Sequence, residues 1–297
     1  MKTNATENPT GLPDLQGLWD FRNPKETESR FRELLPRAEA SGDQDYHAEL
    51  LTQLARTQGL QMKFDDAHAI LDSAEQMISE EMIVPRIRYY LERGRAFNSS
   101  GRKEEASALF LQAFNLASEH NEDFYAVDAA HMLGISEKPE QALDWNMKAI
   151  EFAEQSDDKR TKGWLGPLYN NTGWTLHDMG QYEKAMDLFE RSLTWRQERK
   201  DARGTFIAKW TIGRTFRSMN RLEEALEQQR ELLHTIDAGE AEKDGYVYEE
   251  LGECLLAQGN HDEAKPYFAQ ASALLSQDPW LQKNEPQRLE RLQTLGS

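Results

Sequence analysis

The sequence predicts an all-α fold, a right-handed superhelical solenoid of antiparallel helix pairs. Three observations carry this. A short phrase recurs and closes on Ala67, Ala106, Ala142, Ala185, Ala225 and Ala264, at spacings of about 39, 36, 43, 40 and 39 residues, in the range of helical repeats. About twelve residues before each alanine stands another small residue, namely Ala55, Gly94, Ala130, Gly173, Gly213 and Gly252. Larger apolar residues surround both at separations of three and four, the period of one helical face.

Taken in order, residues 1–22 hold Gly, Pro and Asn with little periodicity and are expected to be a mobile N-terminal tail. Leu12, Leu15, Leu18, Trp19 and Phe21 are the exception; docking on the chain's own scaffold is favoured for them over docking on a partner. Residues 23–47 are expected to form an N-terminal capping helix. Asn23-Pro24-Lys25-Glu26 supplies its cap, a proline in the first position and a glutamate that reaches back. Phe31, Leu34, Leu35 and Ala38 make its apolar face, and Pro36 is expected to kink or shorten it.

Residues 48–280 are expected to form six helix pairs. The corner of each pair is clearest in Gly101-Arg102-Lys103-Glu104-Glu105-Ala106 and Gly180-Gln181-Tyr182-Glu183-Lys184-Ala185. A Gly or Asn ends the first helix in the left-handed conformation, and acidic residues suit the positive N-terminus of the second. A glycine in mid-helix costs about 1 kcal/mol, so its recurrence at 94, 173, 213 and 252 implies a close helix–helix crossing that offsets the cost. After most of the alanines comes a bulky residue and then a small one, as in Phe110 with Ala113, Phe189 with Ser192 and Phe268 with Ala271. The third copy departs most, with Ala130 for glycine, Asn146 at the bulky position and a turn shortened at Pro139; the fifth has Gln229 at the bulky position. Residues 281–297, opened by Glu285-Pro286 and carrying Leu289, Leu292 and Leu295, are expected to be a C-terminal capping helix, as a solenoid needs a polar cover for its last core face.

This pattern resembles the tetratricopeptide repeat, matched best by Tyr169–Leu193 and Tyr248–Leu274, and the resemblance runs from about Ala48 to Asp278. The family's common period is about 34 residues. The longer, roughly 40-residue form here is similar to repeats in kinesin light chains, in adaptors that hold G-protein regulatory peptides and in bacterial peptide-sensing regulators. The stretch Arg196–Gly204 resembles the polar linker between such pairs.

The resemblance implies a protein- or peptide-binding scaffold or adaptor whose first helices line a concave groove. Carried over position by position, it implies groove residues Arg56, Arg95, His131, Trp174 and Arg214 just after the small residue, with Asn170, Trp210 and Arg217 on the same face. Arginine forks suit carboxylates, and indoles offer flat apolar surfaces. The implied ligand is an acidic peptide or a free C-terminus, with Asn170 bonding its backbone. The stripe stops at Glu249 and Glu253 in the last repeat. Alternatives stand beside this, a self-assembling structural protein among them. The arginines bridge to acids of the adjacent repeat and the tryptophans pack between helices; or the chain is a regulatory sensor that changes superhelical shape on binding a small molecule or signalling peptide.

Composition narrows the classes. The formal charge of −17 disfavours general nucleic-acid binding. No apolar run approaches the roughly 18 residues of a spanning helix, and the start shows no secretory signal. The single Cys254 excludes an intrachain disulfide and a cysteine-rich zinc site, and a cytoplasmic location is expected. No enzyme is expected. Gly163-Trp164-Leu165-Gly166 lacks the Lys-Ser/Thr of a phosphate loop, the seven histidines form no metal pair, and Cys254 reads as structural. No catalytic residue, metal or cofactor is assigned.

Overall fold

The computed structural model describes residues 11–297, which fall into two compact units, one running to Trp164 and the other from Leu165 to Ser297. Residues 1–10 of the expected tail lie outside the described residues. Among the described residues the elements are all helical.

In the first unit the helices are α1 (Pro24–Ser41), α2 (Gln44–Leu60), α3 (Phe64–Met77), α4 (Ile83–Ser99), α5 (Lys103–Glu119), α6 (Asp123–Ser136) and α7 (Pro139–Gln155), followed by a 3-10 turn at Thr161–Trp164. α2/α3, α4/α5 and α6/α7 are antiparallel pairs, and the first helices α2, α4 and α6 lie side by side. The second unit holds α8 (Leu165–Asp178), α9 (Tyr182–Glu198), α10 (Ala202–Ser218), α11 (Leu222–Asp237), α12 (Gly245–Ala257), α13 (His261–Leu275), α14 (Pro279–Asn284) and α15 (Pro286–Leu295). Its pairs are α8/α9, α10/α11 and α12/α13, with α15 laid on α13.

In the second, fourth and sixth pairs the crossing is the one the small residues imply. A Cβ on Gly94 would stand 2.5 Å from the Phe110 ring, and one on Gly252 would stand 2.8 Å from Phe268; Gly173 faces Phe189 in the same way. Those three phenylalanines are fully buried. In the fifth pair Gly213 lies against Gln229, whose amide donates to the Trp210 carbonyl at 3.3 Å. The third pair differs from the sequence expectation. Asn146 is met by Gly134, one turn beyond Ala130. The connection from α6 to α7 is only residues 137–138, and the side chain that crosses there is short and polar.

The corners close as helix-ending turns. Arg102 N–H bonds Phe97 O at 2.8 Å, and the equivalent bonds recur from Gln181, Arg221 and Asn260 at 2.9 Å, the longer bond of the Schellman motif. The residue before each donor is left-handed: Gly101 at φ +87°, Gly180 at +74°, Asn220 at +59° and Gly259 at +82°. In the first pair this place is taken by Met62, at φ +61° and well exposed.

The ends differ from expectation in extent. α1 ends at Ser41 because Gly42 turns left-handed at φ +73° and the Asp43 side chain caps α2 by accepting from Tyr46 N–H at 3.0 Å, so the first helix pair begins before residue 48. Pro36 does not shorten α1; it sits on the exposed side, where water can satisfy the carbonyl it frees. Residues 11–22 are not free. Leu12 and Leu15 are buried, the Tyr46 hydroxyl donates to Pro13 O at 2.8 Å, and the Trp19 indole donates to Gln53 Oε1 at 2.9 Å. The C-terminal cover begins at Pro279, and Leu292 of α15 is fully buried against the α12/α13 core with Leu289 and Leu295 beside it. Cys254 is buried in the same core, and burial, with Glu250 adding, pushes its thiol up to about 12.

Two glycines on neighbouring first helices are expected to respond to alanine in opposite directions in thermal or urea unfolding. Gly94→Ala destabilises by about 1–3 kcal/mol through overpacking against Phe110. Gly59→Ala, where an added methyl meets open space, stabilises by up to about 1 kcal/mol through helix propensity. Met62→Gly relieves a left-handed backbone worth about 1–2 kcal/mol against roughly 0.5–1 kcal/mol of lost chain stiffness, so its melting temperature should rise slightly.

Candidate functional site

The sequence-predicted groove residues divide between the units. Arg56, Arg95 and His131 belong to the first; Asn170, Trp174, Trp210, Arg214 and Arg217 belong to the second.

In the first unit the arginines are already paired. Arg56 of α2 reaches Glu92 of α4 at 3.3 Å, and Arg95 of α4 holds both Glu92 at 2.7 Å and Asp128 of α6 at 2.5 Å. Arg88 of α4 lies 3.0 Å from Glu49 of α2 and donates to the Tyr125 hydroxyl of α6 at 2.9 Å. Apart from Arg95–Glu92, which lies within α4, each link joins one first helix to the next, and there is a carboxylate for every guanidinium. Burial alone would push the Asp128 carboxyl up, but Arg95 and Arg56 outweigh it and hold it below its ordinary value. Burial likewise works against the Arg95 charge, and Asp128 with Glu92 overcomes it and raises its pKa. Arg56 is further covered by the N-terminal segment, its guanidinium 5.6 Å from the Trp19 ring and 5.2 Å from Phe21, which stack on each other at 4.6 Å. The open positive stripe expected here is therefore compensated, for a simple reason. A guanidinium on a packed helix face loses its water and is stable only with a carboxylate beside it. His131 lies 5.4 Å from the Trp164 ring, and burial lowers its pKa, which favours the neutral imidazole.

The second unit is balanced differently. Arg217 forks onto Glu250 of α12 at 2.6 and 2.9 Å, and Arg214 reaches the same carboxylate at 3.1 Å. Two guanidiniums thus share one acid. Arg214 also donates to Ser218 Oγ at 2.7 Å, which bonds His177 Nε2 of α8 at 2.9 Å. Burial and Arg214 lower the His177 pKa. An aromatic run lies alongside: Trp174 to Trp210 at 6.1 Å and Trp210 to Tyr246 at 5.9 Å. Trp174 also packs on Phe189 at 5.4 Å, so both tryptophans are half-buried between helices rather than free. The Trp210 indole N–H is buried and has no hydrogen-bond partner among the described residues. Asn170 is half-buried and its amide donates to Asn171 Oδ1 at 3.3 Å. Glu249 and Glu253, where the stripe was expected to stop, are held by Arg288 and Arg291 of α15, Arg288 at 2.8 Å.

Sequence reasoning missed the acids Glu49, Glu92, Asp128 and Glu250. A signal for three of them was present. Wherever arginine directly follows the small residue, an acid stands two places before the small residue of the next repeat: Arg56 with Glu92, Arg95 with Asp128, Arg214 with Glu250. Where that position is His131 or Trp174, the corresponding residue is Asn171 or Thr211, with no charge. Among the described residues no group of His, Cys, Asp and Glu is placed to hold a metal, and no helix is long and apolar enough to cross a membrane.

The family model for the tetratricopeptide repeat matches residues 167–234, and a second model of the same repeat matches 87–120 and 246–274. No curated protein matches the chain. Among solved structures it is similar to the apo form of RapI, with a TM-score of 0.73 and 12% identity over 89% of this chain and 76% of that one. It is also similar to a signal-transduction ATPase with numerous domains and a tetratricopeptide repeat sensor from Pyrococcus horikoshii, with a TM-score of 0.68 and 15% identity. That match covers 91% of this chain and 41% of the ATPase, so the chain spans less than half of that protein. BtubC from P. vanneervenii aligns with a TM-score of 0.59 and 15% identity, over 78% of this chain and 95% of its own. At these identities the likeness is one of fold.

Asp128 should set part of the acid limb of stability. Its folded pKa is depressed, so its contribution is complete above about pH 4, the unfolded value, and is lost as pH falls through the folded one. Urea unfolding of Asp128→Asn should show a loss of about 3 kcal/mol at pH 7, and the gap from the parent should narrow below pH 4.

Proposed function

We propose that this chain, a tetratricopeptide-repeat protein, is a non-catalytic scaffold for protein partners whose second unit engages an acidic peptide or a free C-terminal carboxylate on the face shared by α8, α10 and α12. The observation that carries the reading is the pair Arg214 and Arg217 on the single Glu250, with Trp210, whose N–H has no partner among the described residues, one turn earlier on α10. One guanidinium can turn to a ligand carboxylate while the other keeps Glu250. The ligand carboxylate gains charge-assisted bonds worth about 1.5–3 kcal/mol each. Trp174, Trp210 and Tyr246 supply flat surface for neighbouring side chains, and Asn170 stands on α8 within reach of a peptide backbone. In the first unit Arg56, Arg95 and His131 serve helix-to-helix cohesion, because their charge is spent on Glu92 and Asp128 or removed by burial. A buried reduced Cys254 and the acidic surface fit a cytoplasmic protein that avoids nucleic acid.

A sensor reading rests on the same place. Glu250 ties α12 to α10, so a ligand that draws Arg214 and Arg217 away from it loosens that link.

The test uses a labelled acidic pentapeptide with a free C-terminus, followed by fluorescence anisotropy. The intact chain should bind it, and binding should weaken with salt and on amidation of the peptide. Arg214→Gln and Trp210→Phe should each weaken it by roughly tenfold, about 1.4 kcal/mol, with helicity and melting temperature retained. Equal binding by the folded variants and the parent removes the site from this face.

A further inference from the structure

Outside the inner faces, one pocket of about 310 Å³ opens in the first unit between α5, α6 and α7. It lies at the pair that departs from the repeat pattern, where the α6–α7 turn is short and Asn146 replaces the bulky residue. Its size is at the low end for small-ligand pockets, ~300–1,000 Å³. That suits one long side chain rather than a folded element.

Its chemistry is mixed in a definite way. Leu133 in the lining is 2% exposed, Leu111 on α5 is 42% exposed, and half-buried Trp145 of α7 lines it beside them. Glu137 and Asp144 stand on the rim, and neither has an ion-pair partner among the described residues. That sets them apart from Glu92, Asp128 and Glu250, each of which is tied to arginine. Lys148, the remaining charge in the lining, lies with its ammonium 4.2 Å from the Trp145 ring centroid. It is one turn along the same helix and exposed, so it occupies the indole without being fixed there.

We propose that this pocket receives an arginine side chain of a protein partner. The aliphatic stem runs along Leu111 and Leu133, and the guanidinium stacks on Trp145 in place of the Lys148 ammonium. The rim acids Glu137 and Asp144 accept its hydrogen bonds. Three features select arginine. The indole face already holds a cation, two uncompensated carboxylates complement one positive charge, and a planar fork can stack and bond at once where a lysine ammonium cannot. The site lies in a different unit from the Arg214–Arg217 face and takes the opposite charge, so it goes beyond the function proposed above.

The probe is acetyl-arginine methylamide, with acetyl-citrulline methylamide as its uncharged counterpart and acetyl-lysine methylamide as the non-planar one. The readout is the Trp145 indole N–H in NMR spectra of the full chain, assigned with Trp145→Phe. Arginine should shift that signal saturably in the millimolar range, with citrulline at least tenfold weaker and lysine several-fold weaker. Lys148→Ala should tighten arginine binding several-fold by removing the built-in competitor, and Glu137→Gln with Asp144→Asn should weaken it at least tenfold. Arg214→Gln should leave it unchanged. Equal responses to arginine and citrulline, unchanged or weaker binding in Lys148→Ala, or shifts confined to other tryptophans overturn the proposal. Equal responses to lysine and arginine overturn the assignment to arginine.

Discussion

Everything else in these two units depends on a missing side chain. Where Gly94 meets Phe110, Gly173 meets Phe189 and Gly252 meets Phe268, a ring occupies the volume a Cβ would need. The phenylalanines are buried completely, and burial of a ring of that size is worth ~1.5–3 kcal/mol, more than the ~1 kcal/mol a mid-helix glycine costs. The crossing also fixes rotation about the helix axis. With the glycine side pressed on the partner helix, the next residue and the one two places before it point toward the neighbouring first helices. That rotation is what places Arg95 beside Asp128 and Arg214 beside Glu250.

The ion pairs between first helices follow from this placement and have their own logic. A buried pair is a weak source of net stability, because desolvation cancels much of the attraction, whereas breaking one is expensive. Such pairs therefore penalise a wrong neighbour more than they reward the right one. Unit one uses as many acids as arginines at these positions and covers Arg56 with Trp19 and Phe21. Unit two leaves two arginines on one acid, and on the same helix a buried indole N–H that has no partner among the described residues. The same repeat chemistry thus yields cohesion in one unit and spare hydrogen-bonding capacity in the other. The difference is a matter of stoichiometry rather than of fold.

Departures from the repeat have local causes. Asn146 cannot fill the space a phenylalanine fills, and the crossing there is made with Gly134 instead. The turn between α6 and α7 shortens, and the neighbouring pocket carries Glu137 and Asp144, which have no ion-pair partner among the described residues. Met62 holds, against its own local preference, a left-handed turn position that Gly or Asn fills in the better-matched copies, and the corner still closes through the Lys63 N–H bond to Gln58 O at 3.0 Å. At the N-terminus, Leu12 and Leu15 are too few and too irregularly spaced to announce an element. They are buried because α1 and α2 offer them a surface, and no periodicity of their own carries that information.

The sequence by itself determined the all-helical class and the repeating helix pair. Those rest on short-range rules: helical period, turn residues with left-handed backbone, and small residues at fixed distance from bulky ones. It also placed Arg56, Arg95, Arg214 and Arg217 on first helices. Whether those charges were free was not a local property. A guanidinium is neutralised by whatever stands across the interface, 33 to 36 residues away in the chain for Arg217–Glu250, Arg95–Asp128, Arg214–Glu250 and Arg56–Glu92. Only the tertiary arrangement brings those partners within 2.5–3.3 Å, because electrostatic pairing reads distance in space and is indifferent to distance along the chain.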